Sequence, residues 1–298
     1  MVTDPMRFIT FHTGEPIYGG QARGALGLGA VVEGEGVVDL TGAFGSLHAA
    51  LHDGRLEEAA AAARAGRPTL ALGDLRLAPT LPEAEKYLCI GVNYQGRNAE
   101  YKDGQAAPDY PSVFMRTRES FAGHGEPLIR PPESHQLDYE GEIAVVIGKA
   151  GRRIPRARAR EHIAGLTLMN EGTLRDWVRH AKFNVTQGKN FERSGSIGPW
   201  MVPLTDAIDL ADLDLRTTVN GEVRQDDNTS SMAFPIDAIV EYLSTFTRLQ
   251  PGDVIATGTP NGAGARFDPP RYLAPGDMVE ISCPAVGSLR NGVADETV

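Results

Sequence analysis

The chain has 298 residues and carries 39 acidic against 29 basic side chains, which gives a net charge of −10 at pH 7. This acidic balance argues against nucleic acid and anionic membrane surfaces as partners, because both repel a negatively charged protein. A hydrophobic content of 41% and a charged content of 23% are those of an ordinary globular protein and exclude disordered and fibrous classes.

The first residues and the cysteines predict the cellular compartment. Residues 1–7 lack the apolar core of a signal peptide, and no apolar run approaches the ~20 residues of a membrane-spanning helix. Cys89 and Cys283 lie far apart, without paired metal-binding spacing. We therefore expect a cytoplasmic protein with buried free thiols.

The N-terminal part of the chain predicts a small domain of its own. The apolar stretch 25–32 is typical of a strand, and the alanine-rich stretch 56–64 predicts an amphipathic helix. The stretch 77–82 contains two prolines, cannot continue a helix and predicts a linker. We therefore expect a small N-terminal domain over 1–78 and a larger domain over 79–298.

The larger part of the chain predicts a β-rich domain. Short apolar segments between Pro and Gly residues predict strands at 86–91, 142–147, 163–169, 215–219, 253–256 and 277–282. The clearest helix is 236–245, with apolar residues at helical spacing. This pattern favours an α+β, β-rich fold, sandwich-like or barrel-like, with helical decoration.

Two glutamates at the start of an apolar strand are the first candidate site. Side chains alternate faces along a strand, so Glu140 and Glu142 point the same way. Two carboxylates so close repel each other inside a protein unless a proton or a cation lies between them. An alternating Glu pair on the wet face of a half-exposed strand is the simpler alternative.

A third carboxylate strengthens the interpretation as a metal site. Glu171 follows the apolar stretch 163–168, and side chains at the end of a strand are both fixed and accessible. Oxygen-only ligand sets such as three carboxylates favour hard cations, for example Mg²⁺, Mn²⁺ or Ca²⁺.

The order of motifs resembles the fumarylacetoacetate hydrolase superfamily from about residue 85 to 292. The motifs are CIGVNY (89–94), DYEGE (138–142), NEGTLRDW (170–177), GKNF (188–191), GPW (198–200), VNGEVRQ (219–225), PGDVIATGTP (251–260) and GSLRN (287–291). The resemblance implies a mixed β-roll or β-sandwich catalytic domain, a homodimer, and one Mg²⁺ or Mn²⁺ that chelates a small 2-oxo acid or its enol. It places the family's metal triad on Glu140, Glu142 and Glu171. The third position is an Asp in the family, so Glu171 keeps the charge but reaches one methylene further.

The resemblance also implies residues around the metal. Lys189 matches the family's active-site lysine, which hydrogen-bonds the substrate oxygen or a metal-bound water. Thr259 and Gln225 match substrate-binding positions, and Tyr94 in the first motif is assigned to the same group. Arg116 stands where family members carry a lysine near the pocket, and we expect it to contact a carboxylate of the substrate.

The sequence departs from the family in the segment that carries the water-activating pair. Glu100 matches the family's glutamate, but Arg97 stands where the histidine of the pair is expected. A guanidinium stays protonated at neutral pH and cannot act as a general base. Arg97 can instead bind a second substrate carboxylate or lower the pKa of Glu100.

These residues support three functional hypotheses. The first is a metal-dependent hydrolase that cleaves the carbon–carbon bond of a 2,4-dioxo acid of the acylpyruvate or fumarylacetoacetate type, through a metal-stabilised enolate. The second is an isomerase or decarboxylase of 2-hydroxy-diene dioates or of a 2-oxo acid, which Arg97 favours because water activation is weakened. The third is a protein that binds oxo acids without catalysis. Clustered carboxylates cost stability unless a metal or a reaction uses them, which argues against the third hypothesis.

Overall fold

The computed structural model describes residues 6–14, 26–32, 34, 36–96, 109–180 and 184–297. Its strands in chain order are β1 (Arg7–His12), β2 (Leu26–Val32), β3 (Gly36–Asp39), β4 (Leu70–Ala71), β5 (Tyr87–Gly91), β6 (Ser112–Arg116), β7 (Phe121–Ala122), β8 (Leu128–Arg130), β9 (Leu137–Asp138), β10 (Gly141–Ile147), β11 (Ile163–Asn170), β12 (Thr173–Leu174), β13 (Gly195–Pro203), β14 (Asp214–Val219), β15 (Glu222–Asn228), β16 (Val254–Ala256), β17 (Met278–Cys283) and β18 (Gly287–Asp295). The helices are α1 (Thr41–Phe44), α2 (Leu47–His52), α3 (Leu56–Ala65), α4 (Thr186–Lys189) and α5 (Ile236–Phe246).

A large mixed sheet forms the centre of the fold. Within the described residues its strand order is β4-β3-β2-β1-β13-β11-β10-β16-β5-β6, with β7 paired to β13. Most neighbours are antiparallel, whereas β16 and β5 run parallel. The central strand β10 is buried along its whole length, so it positions residues at its start firmly.

The two faces of β10 pack against different layers. Ile143 and Val145 belong to the larger apolar core, which includes residues of the smaller sheet β15-β14-β17-β18-β8. Ala144 and Val146 point the other way, into a second core. A strand with both faces buried explains why its sequence is a nearly continuous apolar run.

The N-terminal strands extend the large sheet. β1 pairs with β13 at Phe8 and Met201, and Phe8 shares the second apolar core with Ala144 and Val146. The stretch predicted as a linker is packed as well, since Leu77 is buried and the Thr10 hydroxyl donates to the Thr80 carbonyl. The domain boundary at residue 78 stays a prediction, and one sheet runs across it.

The predicted β-rich α+β architecture is confirmed. Each strand predicted in the larger part has a counterpart, and the helices predicted at 56–64 and 236–245 are α3 and α5. The sequence did not reveal β13, because Pro199 interrupts its pattern. The pairing of β13 with β11 is irregular around this proline, which has no N–H to donate. No helix in the described ranges is long and apolar enough to cross a membrane.

Candidate active site

The start of β10 brings two carboxylates to one face of the sheet. Side chains alternate along the strand, so Glu142 points to the same side as Ala144 and to the opposite side from Ile143. Glu140, two residues before Glu142, points to the side of Glu142. Glu140 is 4% exposed and Glu142 is 1% exposed. Both line the same cavity, so neither lies on a wet strand face.

The pairing of β10 with β11 adds the third carboxylate. Gly141 lies opposite Asn170, and the Glu171 N–H donates to the Glu140 carbonyl at 2.8 Å. Glu171 is 2% exposed and lines the cavity beside Glu140 and Glu142. The strand register therefore unites glutamates that are about thirty positions apart in the sequence.

Lys189 bridges two of the three carboxylates. It ends the short helix α4, and its Nζ lies 2.5 Å from Glu140 Oε2 and 2.6 Å from Glu171 Oε2. The same ammonium donates to Thr173 Oγ1 at 2.7 Å and lies 5.1 Å from the centre of the Phe114 ring. Lys189 is 5% exposed, so its charge is stabilised by these neighbours rather than by water.

A buried arginine fixes the orientation of Glu140. Arg175 Nη2 donates to Glu140 Oε1 at 2.9 Å, and its Nε donates to Asp138 Oδ2 at 2.7 Å. Asp138 also accepts the backbone N–H groups of Gly264 and Ala265. Asp138 is thus an orienting partner of the site, as a carboxylate behind a first layer of ligands is expected to be.

Burial and mutual repulsion shift the titration of these groups. Burial, with Glu171 and Glu140 nearby, raises the pKa of Glu142 well above its usual value. Burial also raises the pKa of Glu171, although Lys189 opposes that shift. For Lys189, burial alone lowers the pKa, but Glu140 and Glu171 together outweigh it, so the pKa is raised and the ammonium keeps its proton.

The three carboxylates fit a hard divalent cation by their chemistry. Glu142 accepts one backbone bond, from Gly258 N–H at 2.8 Å, and forms no ion pair with a described residue. It therefore has free oxygen lone pairs and a charge that burial makes costly. As arranged, no three acidic, His or Cys side chains of the described residues stand close enough to hold an ion. Lys189 contacts Glu140 and Glu171, so a cation held by all three carboxylates would have to displace this ammonium from them.

The cavity above the carboxylates has a volume of about 1180 Å³. Its charged lining residues are Glu83, Glu85, Glu119, Glu140, Glu142, Glu171, Arg116, Arg118, Arg175, Arg179, Lys189 and Arg266. Apolar side chains such as Ile90, Phe114 and Val178 line the remainder. A partly apolar cavity on which several polar groups with shifted pKa values converge is the usual form of a small-molecule site.

Thr259 lines the cavity, and Gln225 holds it in place. Gln225 Nε2 donates to Thr259 Oγ1 at 2.8 Å and to the Pro260 carbonyl at 2.9 Å. Its Oε1 accepts the Gly141 N–H at 2.9 Å. The amide of Gln225 is thus engaged by the protein, and Gln225 is not among the cavity-lining residues. Its predicted contact with substrate stays a prediction.

Arg116 is held by the protein on all sides. Its Nη1 lies 3.4 Å from Glu171 Oε1, and Nη1 also donates to the Gly172 carbonyl at 3.0 Å. Its other nitrogens donate to Ser120 and Ser194, and its side chain is 0% exposed. This geometry gives Arg116 a part in orienting Glu171. The predicted contact with a substrate carboxylate stays a prediction.

Of the remaining predicted residues, the structure describes Tyr94 alone. Tyr94 packs in the larger core, does not line the cavity, and has no hydrogen-bond partner for its hydroxyl in the described part of the chain. Burial raises the pKa of this hydroxyl, with Glu142 adding to the shift. Arg97 and Glu100 fall outside the described residues.

Two residues of the site were not singled out from the sequence. Arg175 belongs to the motif NEGTLRDW and follows Glu171 by four positions, shortly after an apolar strand. That spacing, with a basic residue close to the predicted acidic ligands, was the signal available. Arg179, also in the cavity wall, carried no such signal.

The family model for the fumarylacetoacetate (FAA) hydrolase C-terminal domain matches residues 86–294. The oxaloacetate tautomerase YisK of Bacillus subtilis is 38% identical over 226 residues, which cover 74% of each chain.

Solved structures agree along nearly the whole chain. A probable 2-hydroxyhepta-2,4-diene-1,7-dioate isomerase from Mycobacterium abscessus has a TM-score of 0.80 and 31% identity, covering 99% of this chain and 100% of that one. The maleylpyruvate hydrolase of Sphingobium sp. SYK-6, solved with manganese(II) and pyruvate, has a TM-score of 0.76 and 25% identity, covering 98% of this chain and 100% of that one. One fold thus accommodates proteins named for tautomerisation, isomerisation and hydrolysis.

Proposed function

Since this chain belongs to the fumarylacetoacetate hydrolase superfamily, we propose that it is a divalent-metal-dependent enzyme that interconverts the keto and enol forms of a 2-oxo acid. The observation that carries this proposal is the Lys189 ammonium held between Glu140 and Glu171 at the floor of the cavity. The similarity to an oxaloacetate tautomerase supports oxaloacetate as the first substrate to test.

The metal is proposed to be Mg²⁺ or Mn²⁺, held by Glu140, Glu142 and Glu171. Oxygen-only donors favour these ions, with Ca²⁺ as the alternative, and a manganese complex of a structural relative supports the choice. When bound, such an ion polarises the 2-oxo group and lowers the energy of the enolate.

The chain's own residues would then manage the proton and the developing charge. Forming the enol removes one proton from carbon three, which the base takes, and adds one to the 2-oxo oxygen, which solvent water in the cavity would supply. Lys189 keeps its proton, and its three N–H groups donate to Glu140, Glu171 and Thr173. One of these donors would turn from its protein partner to that oxygen as negative charge grows there. Arg175 keeps Glu140 in position throughout.

We assign the remaining predicted residues as follows. Thr259 lines the cavity and is proposed to bind the carboxylate next to the oxo group, with Gln225 holding its hydroxyl. Glu100 is proposed as the base that takes the carbon-bound proton, and Arg97 as the charge that keeps Glu100 ionised. Both lie outside the described residues.

Carbon–carbon hydrolysis of a 2,4-dioxo acid is the second candidate. The likeness to a maleylpyruvate hydrolase favours it. Hydrolysis requires a base that activates water, and no histidine is present among the described residues that line the cavity. For this reason proton transfer without cleavage ranks first.

The test separates the two candidates by their products. Mn²⁺-loaded protein is added separately to freshly dissolved oxaloacetate and to acetylpyruvate. The enol absorbance and the pyruvate formed are followed in each and compared with Mn²⁺ alone, which itself removes carbon dioxide from oxaloacetate. We expect faster keto–enol equilibration without pyruvate release. Release of pyruvate from acetylpyruvate, with no acceleration of oxaloacetate equilibration, would establish hydrolysis instead.

We also propose that the protein is a homodimer, and light scattering would measure its molecular mass in solution.

A further inference from the structure

Six basic side chains of the described residues line the cavity: Arg116, Arg118, Arg175, Arg179, Lys189 and Arg266. A negatively charged substrate with two carboxylates needs a cation at its distal end, away from the proposed metal. Which of these six side chains is available to a ligand depends on the ion pairs and hydrogen bonds that each already makes within the protein.

Three of the six serve the carboxylates at the cavity floor. Lys189 contacts Glu140 and Glu171, Arg175 contacts Glu140, and Arg116 contacts Glu171. These cations are buried and balance charges of the protein. A substrate that took one of them would leave a buried carboxylate without its partner, which is costly.

Two others are engaged at the rim. Arg118 Nε lies 3.0 Å from Glu119 Oε1, in a pair of largely exposed side chains. Arg266 is also engaged in an interaction with another group of the protein. Arg179 is exposed as well, but among the described residues no carboxylate forms an ion pair with it. It lines the same cavity, so its guanidinium is accessible from there.

The backbone at Arg179 is fixed by its surroundings. Arg179 ends a 3₁₀ turn, Trp177–Arg179, whose first N–H is capped by the Asp176 carboxylate. The Arg179 N–H donates to the Asp176 carbonyl at 3.1 Å, and the Trp177 ring packs edge-on against Phe191 at 4.9 Å. This turn packs against the helix that carries Lys189. Arg179 and Lys189 therefore stand on one wall of the cavity.

We propose that Arg179 binds the distal carboxylate of the substrate and selects oxo dicarboxylates over oxo monocarboxylates. This inference rests on the proposed function, in which the oxo-acid end of the substrate binds at the cavity floor. A guanidinium in a cavity wall without an ion-pair partner is suited to a carboxylate, which it binds through two parallel N–H donors. It would make an acid of the oxaloacetate class a better substrate than an acylpyruvate.

The first measurement is binding, which does not depend on turnover. Calorimetry with Mn²⁺-loaded protein compares 2-oxoglutarate with 2-oxopentanoate, which has the same carbon chain without the terminal carboxylate. We expect the wild type to prefer 2-oxoglutarate, and Arg179→Met to lose about tenfold in affinity for it while binding 2-oxopentanoate unchanged. Arg179→Lys should retain part of the preference, because the charge remains but the fork is lost.

Two matched variants show whether the effect belongs to this position. Arg118→Met removes a rim arginine that is already paired, and it should leave both affinities within about twofold. Arg97→Met tests the competing candidate for the distal carboxylate. A wild type without preference, equal losses for both ligands in Arg179→Met, or loss of the preference in Arg97→Met alone would overturn the assignment to Arg179.

The kinetic measurement separates this inference from the proposed function. If oxaloacetate tautomerisation is observed, Arg179→Met should raise KM about tenfold and leave kcat within about twofold. If the wild type does not accelerate tautomerisation, the proposed function fails, and the binding comparison still decides the role of Arg179.

Discussion

Lys189 Nζ lies 2.6 Å from Glu171 Oε2, and this contact joins the helix α4 to the end of the central strand β11. Both residues are buried, so each is stabilised by ionic partners within the protein rather than by water. The same ammonium contacts Glu140, and the carboxylate cluster is therefore held by a cation of the protein itself.

Lys189→Met should abolish activity and destabilise the fold. The variant leaves Glu140 and Glu171 with less positive charge, and breaking a buried ion pair from one side costs about 3–5 kcal/mol. Turnover should fall by at least about 100-fold, as for the loss of a group that stabilises an oxyanion. Enzyme assays and urea unfolding of the metal-free protein measure the two effects.

Lys149→Met is the matched control for Lys189→Met. Lys149 is exposed and lies 3.9 Å from Glu161, so its loss should change stability by less than about 0.5 kcal/mol. An active Lys189→Met variant would remove Lys189 from the proposed mechanism.

Arg116→Met should weaken metal binding although it replaces none of the three proposed metal ligands. Arg116 orients Glu171, and loss of such an orienting partner lowers metal affinity by roughly 10–100-fold. Titration with Mn²⁺, followed by the electron paramagnetic resonance of the free ion, measures the affinity. Arg116→Lys keeps the charge but not the five N–H donors, so its Mn²⁺ affinity should lie between those of the wild type and Arg116→Met. Wild-type Mn²⁺ affinity in a folded Arg116→Met protein would contradict the orienting role.

Glu142→Gln should change stability and activity in opposite directions. The amide keeps the shape of the side chain and an oxygen for the Gly258 N–H. It removes a carboxyl group whose ionisation is opposed by burial and by Glu171 and Glu140. In metal-free protein the free energy of unfolding should rise by ~1 kcal/mol or more. Metal-dependent turnover should be lost. A less stable variant would show that Glu142 is not a repelled carboxylate.

The sequence predicts more of this site than of the contacts that support it. Strand alternation alone places Glu140 and Glu142 on one side, and that inference needs no partner strand. The place of Glu171 beside them depends on the register between β10 and β11, which the family resemblance implied and local patterns do not encode. The engagement of Gln225 with Thr259 and Gly141 depends on long-range packing, so a polar residue matched to a substrate position turned out to be bonded within the protein.

His124 should make the fold less stable in mild acid. Burial, and then the nearby Arg290, lower the pKa of His124, and its Nδ1 accepts the Arg290 N–H at 3.1 Å, which requires the unprotonated nitrogen. The unfolded chain takes up the proton near pH 6.5, and the folded chain does so only at lower pH. Stability should therefore fall as pH decreases through this window.

His124→Asn keeps an acceptor in place of Nδ1 but does not titrate. Urea unfolding between pH 7 and pH 5 should show a shallower loss of stability for this variant than for the wild type. His12 adds to the remaining slope, since burial lowers its pKa as well. Identical slopes in the two proteins would exclude His124 as a source of the pH dependence.

The N-terminal strands should be required for the stability of the part that carries the site. Phe8 is 0% exposed, pairs with Met201 on β13, and packs in the same core as Ala144 and Val146 of β10. Phe8→Ala should cost about 3–5 kcal/mol, because it leaves a cavity between the two parts of the sheet. Phe246→Ala is the matched control, since Phe246 is 55% exposed and its truncation should cost far less.

If residues 1–78 fold independently of the remainder, Phe8→Ala would destabilise only those residues, and two separate unfolding transitions would appear. A single transition at lower denaturant concentration, seen equally by fluorescence and by circular dichroism, is expected instead, because the sheet and its core continue across the predicted boundary.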